Sequence, residues 1–297
     1  MTKINTSRQA GYYSVWIGNV LVRVLSDGTT DMDMDKILVN IRTDELEPIL
    51  FRSFLSNTVM GSINTYLIHI GDKLILIDTG SGDLLDDASG FLLKSLEAVG
   101  YAPGNIDAIL LTHIHSDHSG GLTKGDTRIF PNAVVYVNAL DVAYWLSEEN
   151  RVKAGPVHQR DFINGKIKIE PYLQSGQLQT FEGKTELFPG LSALPAPGHT
   201  PGHTYYVLED NDEKIVFCGD IAHVPAVQFA LPRASSIYDV DPVQAAHARK
   251  KALADAAKER YWLATVHASF PGIGHVATNG AGYGWFPIQY SNDGKGQ

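Results

Sequence analysis

Three histidines and an aspartate fall within six positions of one another: His113, His115, Asp117 and His118, in the run Leu111-Thr-His-Ile-His-Ser-Asp-His-Ser-Gly-Gly-Leu122. Imidazole is the commonest ligand for zinc-like metals, and a carboxylate beside it can ligate or carry a proton. Four such groups this close cannot all converge on one tetrahedral ion without crowding. Two neighbouring ions relieve that crowding, so the run predicts part of a binuclear site.

Further candidates lie downstream, each just after a segment that reads as a strand. His199 sits in Ala196-Pro-Gly-His-Thr-Pro-Gly-His203, Asp220 follows Ile215-Val-Phe-Cys-Gly219, and His267 follows Trp262-Leu-Ala-Thr-Val266. Loops at strand ends converge to build sites because the sheet fixes where each loop starts. His203 competes with His199, and His275 with His267, which is favoured because it directly ends a strand. Asp220 could instead cap a turn or a helix. Asp78, in Asp78-Thr79-Gly80, reads equally as a carboxylate that orients a metal-bound imidazole or as the cap of its own turn. Cys218 reads as a small apolar strand residue, and His69, His158 and His247 as surface or structural histidines.

The elements that must position these groups are legible in outline. A hairpin is expected over Tyr12–Val24 with its turn at Gly18-Asn19, then a polar stretch and a helix near Asp44–Phe54. Ile63–Ile70 and Lys73–Asp78 read as strands, 86–99 as a helix, Ile106–Leu111 and Ala133–Val137 as strands, and Ala139–Ser147 as a helix. Later come strands at His203–Leu208, Lys214–Cys218 and Trp262–Val266, and a helix near Pro242–Arg260. The interleaved aromatics of Gly280–Trp285 favour a packed terminal strand over a linker. Strands alternating with helices argue α/β, and consecutive strands in both halves argue two sheets rather than one parallel sheet.

At 297 residues, 44% hydrophobic and 19% charged, the chain is long enough to bury a sizeable core. No apolar run approaches ~20 residues, so no membrane span is expected. Met1 to Gly11 lacks the basic start and apolar core of a secretory leader. The single cysteine excludes an internal disulfide framework and a Cys-rich zinc site, and a cytoplasmic protein is expected. A net charge of −9 without any Lys/Arg block disfavours a nucleic-acid partner.

His113-x-His115-x-Asp117-His118, with the later Gly198-His199, Gly219-Asp220 and His267, resembles the metallo-β-lactamase superfamily of binuclear hydrolases. Asp78-Thr79-Gly80 matches that family's early Asp-containing turn. The resemblance implies one domain over 1–297, an αβ/βα sandwich of two mixed sheets flanked by helices, with 1–60 as an N-terminal hairpin and helix extension. It implies that His113, His115 and His199 hold one metal, that Asp117, His118 and His267 hold the other, and that Asp220 bridges them. Two divalent ions are expected, zinc by default, with manganese, cobalt or iron as alternatives. Gly11–Thr30, Asn132–Leu146, and His267-Ala-Ser-Phe-Pro-Gly-Ile-Gly-His275 with Tyr283-Gly-Trp285 look like the branch containing methyl parathion hydrolase and related lactonases, in which homodimers are common.

That resemblance implies hydrolysis of an ester-like bond by a metal-bridging hydroxide, without a covalent intermediate. Asp117 would pass a proton to the leaving alkoxide. His223 stands where many acyl-homoserine lactonases of the superfamily carry a substrate-binding tyrosine, and it either plays that part or packs. Trp145 and Phe162 match aromatic pocket positions of the branch, and Leu85 stands where dedicated organophosphate hydrolases carry an aromatic. The expected substrates are therefore small neutral lactones or aryl esters, with phosphotriesters of the methyl parathion type as side substrates. Acyl-homoserine lactones, thioesters and β-lactams are the alternatives, and a non-hydrolytic di-iron redox protein is a further one. Anionic thioesters usually need a basic patch that is not seen, and β-lactamases lack the bridging aspartate.

Overall fold

The computed structural model describes residues 9–295. Met1 to Arg8, most of the segment read above for a leader, lie outside the described residues. Fourteen strands form two seven-stranded sheets, each in plain chain order. The first holds β1 (Tyr12–Ile17), β2 (Val20–Asp33), β3 (Thr58–Ile70), β4 (Lys73–Ile77), β5 (Ala108–Leu110), β6 (Val134–Asn138) and β7 (Leu178–Phe181). The second holds β8 (Thr185–Phe188), β9 (Leu191–Pro195), β10 (Thr204–Asp210), β11 (Glu213–Phe217), β12 (Trp262–Ala264), β13 (Ile273–Asn279) and β14 (Gly282–Pro287). Both sheets are mixed. β1 to β4 run antiparallel and β4 to β7 parallel, while in the second sheet only β11 and β12 are parallel.

The period-two pattern of the strands explains the layering. Val22, Val24, Tyr66, Ile68, Ile75, Ile77 and Leu110 face Leu191, Tyr206, Leu208, Ile215 and Phe217 across the inter-sheet core. The alternate residues Leu67, Leu76, Ile109 and Val135 point outward, onto Leu92, Leu96, Trp145, Phe162, Ile169 and Tyr172 of the helical layer. On the far side, Val216, Cys218 and Leu263 of the second sheet meet Ala252, Leu253 and Ala256 of the helix Pro242–Glu259. Helices thus cover both outer faces: the αβ/βα sandwich.

Every parallel step in the first sheet needs a crossover, and each crossover returns the chain to the same end of the sheet. That geometry gathers the loops after β4, β5, β11 and β12 at one edge of both sheets. The helix Thr43–Arg52 packs its Leu46, Ile49 and Leu50 on Val224 and on Val227 of the short helix Pro225–Gln228, in the segment that follows Asp220. The expected hairpin is longer than read, because β2 runs on to Asp33 through a bulge between Ser26 and Gly28. The helix read over 86–99 is confined to Leu92–Ala98, since 82–90 forms a loop closed by glycines at both ends.

Candidate metal centre

Seven potential ligands from both sheets meet at that edge. His113, His115, Asp117 and His118 follow β5, the last two on the single helical turn Ser116–Ser119. His199 lies between β9 and β10, Asp220 follows β11, and His267 follows β12. All six histidine and aspartate side chains other than Asp117 are at most 6% exposed.

The first group is a tripod of nitrogens. His113 Nε2 lies 3.0 Å from His115 Nδ1, His115 Nδ1 lies 3.0 Å from His199 Nε2, and His199 Nε2 lies 3.1 Å from His113 Nε2. Ligands at ~2.0–2.1 Å from one tetrahedral ion stand roughly 3.3 Å apart. Burial pushes His113 well below its usual pKa, His115 to about 3 and His199 to about 4, so all three rings are neutral. His113 Nδ1 donates to Thr112 Oγ1 (3.0 Å) and His199 Nδ1 to Asp239 Oδ1 (2.8 Å). Their inward nitrogens therefore present lone pairs to one another, an arrangement that fits a cation at the centre.

The second group joins His118, His267 and Asp117 to Asp220. His118 Nε2 stands 3.1 Å from Asp220 Oδ1, and His267 Nε2 stands 3.2 Å from Asp220 Oδ2 and 3.4 Å from Asp117 Oδ2. Asp220 Oδ2 also lies 3.5 Å from His199 Nε2, so this carboxylate reaches both groups. His118 Nε2 and Asp220 Oδ1 are buried without hydrogen-bond partners. Burial pulls His118 and His267 down, but Asp220 and Asp117 outweigh it, holding His118 well above its usual value and His267 at about 9. The two carboxylates hold protons on these rings, and bound dications would take the place of those protons. These residues fit two metal ions, and they do not by themselves choose which.

Outer contacts fix the rings. His118 Nδ1 donates to Asp78 Oδ2 (2.8 Å), and Asp78 also accepts from Thr112 N and Thr112 Oγ1 at 2.8 Å each. The early aspartate therefore orients an imidazole, in a left-handed conformation (φ 58°) that ends β4 abruptly. His267 Nδ1 donates to Ser62 O at 2.9 Å. Two further aspartates, unnoticed in the sequence, do similar work. Asp239 receives His199 and lies 3.7 Å from the buried Arg249, while Asp141 accepts from Ile114 N (2.8 Å) and Gly202 N (2.7 Å), joining the two ligand loops. Neither carries a local signal for this role, because the ligand loops they hold stand 27 to 61 residues away in the chain.

The competing histidines are accounted for. His203 Nδ1 donates to Ala196 O, and its Nε2 accepts from Asp220 N at 3.2 Å, so it holds the backbone of the candidate bridge. His275 stacks on Trp262 at 3.8 Å, remote from the ligands. His158 is half-buried and lies parallel to His115 at 6.4 Å.

A cavity of about 230 Å³ opens over the centre, lined by Met32, Leu85, His115, Asp117, Val157, Arg160, Asp161, Asp220, His223, Tyr238 and His267, among others. Leu85 and His223 reach it. His223 stacks on His267 (5.3 Å, 15°), with Nε2 3.3 Å from Asp220 Oδ2. Trp145 and Phe162 do not reach it, which corrects the expectation that they line the pocket. Trp145 is 1% exposed behind His115, its ring edge-on at 5.0 Å, and Phe162 packs behind Trp145 at 4.7 Å. A large aromatic with an apolar helical layer beside it buries itself there. Tyr238, 5.5 Å from His223, supplies an aromatic wall that the sequence did not advertise.

Across this fold and ligand set, the sequence profile of the metallo-beta-lactamase superfamily matches residues 59–267. The chain belongs to that superfamily. The solved structure of the hydrolase AbOPH, of the beta lactamase superfamily, superposes with a TM-score of 0.90 at 35% identity, covering 96% of this chain and all of that one. AidC, a dizinc quorum-quenching lactonase, superposes with a TM-score of 0.88 at 28% identity, covering 95% of this chain and 99% of its own. Among curated proteins, an atrochrysone carboxyl ACP thioesterase of Cryptosporiopsis sp. is 27% identical over 60% of this chain and 44% of its own length. A probable metallo-hydrolase of Mycobacterium tuberculosis is 27% identical over 52% of this chain and 54% of its own. The chain thus spans about half the length of the curated relatives it matches. Membership and the His-rich centre together support a dimetal site.

Proposed function

We propose that this chain hydrolyses small neutral lactones and aryl esters, with phosphotriesters as side substrates. The observation that carries this reading is the cavity over Asp117 and Asp220: small, walled by Met32, Leu85, Val157 and Tyr238, and opening on the candidate metal ligands. Among the lining residues Arg160 is the only Lys or Arg; it already donates to Leu84 O at 2.6 Å and shares the lining with Asp31 and Asp161, which suits a neutral substrate better than an anion. The overall likeness to a lactonase supports the same class.

Two dications held by these residues would supply a hydroxide at neutral pH and polarise the oxygen under attack. Asp220, fixed at its backbone by His203, holds both ligand groups in register. Asp117, with its carboxylate partly exposed to the cavity, is placed to take a proton and return it to the leaving alkoxide. His223, its backbone N–H held by Gln228 Oε1 at 2.7 Å, lines the cavity with its ring beside Asp220 and is placed to contact a substrate there.

The test is a panel of dihydrocoumarin, acyl-homoserine lactones, paraoxon and a glutathione thioester on metal-replete protein. Dihydrocoumarin is expected to turn over fastest. Likeness to carrier-protein thioesterases makes thioester hydrolysis the second reading, and faster thioester turnover would reverse the order. His115→Ala should remove metal and activity together; a variant that keeps both would refute the assigned centre.

A further inference from the structure

The loop between β4 and the helix Leu92–Ala98 leaves at Gly82 and returns at Gly90, and its ends touch: a Cβ on Gly90 would lie 2.3 Å from Gly82 O. Asp27, fully buried at the β2 bulge, closes this neck. Its carboxylate accepts from Ser81 N (2.9 Å), Ser81 Oγ (2.8 Å), Gly90 N (3.1 Å) and Leu92 N (3.0 Å). The segment is a compact Ω-shaped loop; Ser81 O also accepts from Leu84 N and Ala88 O from Thr29 N, at 3.0 Å each, so the side chains of residues 83–85 depend on contacts outside the neck.

The body is held separately, from a different layer. On the helix Pro156–Gln174, Lys168 is 2% exposed; its Nζ donates to Asp83 Oδ1 at 2.6 Å and to Thr123 O at 2.8 Å. Two turns earlier on that helix, Arg160 Nη2 donates to Leu84 O at 2.6 Å. The next residue, Leu85, lines the cavity over Asp117 and Asp220, and Arg160 lines it too. Burying an ammonium costs several kcal/mol of desolvation unless partners answer it, so a buried lysine is an unusual way to fasten a surface loop. What it fastens lies two residues before Leu85 of the cavity wall.

We infer that Lys168 is a positioning residue and Arg160 a specificity residue: together they clamp Asp83 and Leu84, so that Leu85 stands as a fixed wall limiting the size of the ester or lactone admitted. This rests on the ester and lactone reading of the centre. Lys168 does not line the cavity, so its effect passes through the loop, while Arg160 acts both on the loop and at the wall.

Lys168→Met keeps the length and apolar character of the buried stem and leaves Asp83, half-exposed, to solvent; the more exposed Arg160→Met is an independent second variant. In both, hydrogen exchange across 83–87 should rise about tenfold while 113–118 keeps its protection, and metal content should match the wild type. The KM for dihydrocoumarin should rise about fivefold with kcat within about twofold. The activity ratio of a bulky naphthyl ester to dihydrocoumarin should rise. Unchanged exchange, or faster exchange with an unchanged size preference, would overturn the inference. If the wild type turns over no ester or lactone, the proposed activity fails, and the clamp is then judged by exchange alone, unchanged protection of 83–87 refuting it.

Discussion

Each ligand imidazole has two nitrogens, and in this site the outward one decides what the inward one can do. Where Nδ1 donates to Asp239 or Thr112 Oγ1, the tautomer is set and Nε2 of His199 and His113 is left as a lone pair facing the centre; where it donates to Asp78 or Ser62 O, Nε2 of His118 and His267 is the nitrogen that a metal would take from its proton. Asp239 is the most exposed to test. Burial alone would raise its carboxyl, but His199 and Arg249 hold it at about 2, so it stays an anion at working pH. Asp239→Asn keeps the shape and loses the charge that orients His199. Metal affinity should fall about 10- to 100-fold, measured by competition with a chromophoric chelator, with the fold intact. An unchanged affinity would show that the contact only packs. The ligands were legible because four of them crowd into six positions; Asp239 and Asp141 were not, because nothing near them in the chain says what they touch.

Among the elements, the β2 bulge and the helix Pro156–Gln174 matter most for the cavity, and neither was read from the sequence. The helix buries Phe162, Asn164, Gly165, Lys168, Ile169 and Tyr172. Half of that face is polar or glycine, which erases the apolar period that reveals a helix. Gly165 is required there, since a Cβ would stand 2.7 Å from Ile114 Cγ2, inside the ligand run. The bulge puts Asp27 into the interior, where one carboxylate satisfies four donors. Asp27→Ala should therefore cost about 3 kcal/mol or more in chemical denaturation, against well under 1 kcal/mol for an ordinary surface aspartate. A loss that small would mean that the loop neck is held by Ser81 and Ser89 alone.

At the scale of the molecule, the centre takes His113, His115, Asp117 and His118 from the first sheet and His199, Asp220 and His267 from the second. Bound metal should therefore act as a cross-link between the two halves of the sandwich. Removing it withdraws that cross-link, and the Tm should fall on chelation and recover on adding metal back. With free metal at about a thousandfold over Kd, the difference is roughly 4 kcal/mol. A Tm indifferent to chelator would place the metal outside the folded framework.

By itself the sequence determined the candidate ligand set and the class of fold. His-x-His-x-Asp-His is contiguous, the later ligands end recognisable strands, and alternation of period two separates inward from outward faces. Only the tertiary structure decided which groups meet in the cavity. It buried Trp145 and Phe162 behind His115, brought Tyr238 and Arg160 to the wall, and made Asp78 an orienting partner rather than a turn cap. The reason is physical: ligand identity is written in residue type and short spacing, whereas a cavity wall is made by side chains from separate layers, and their juxtaposition depends on how two sheets and their helices pack.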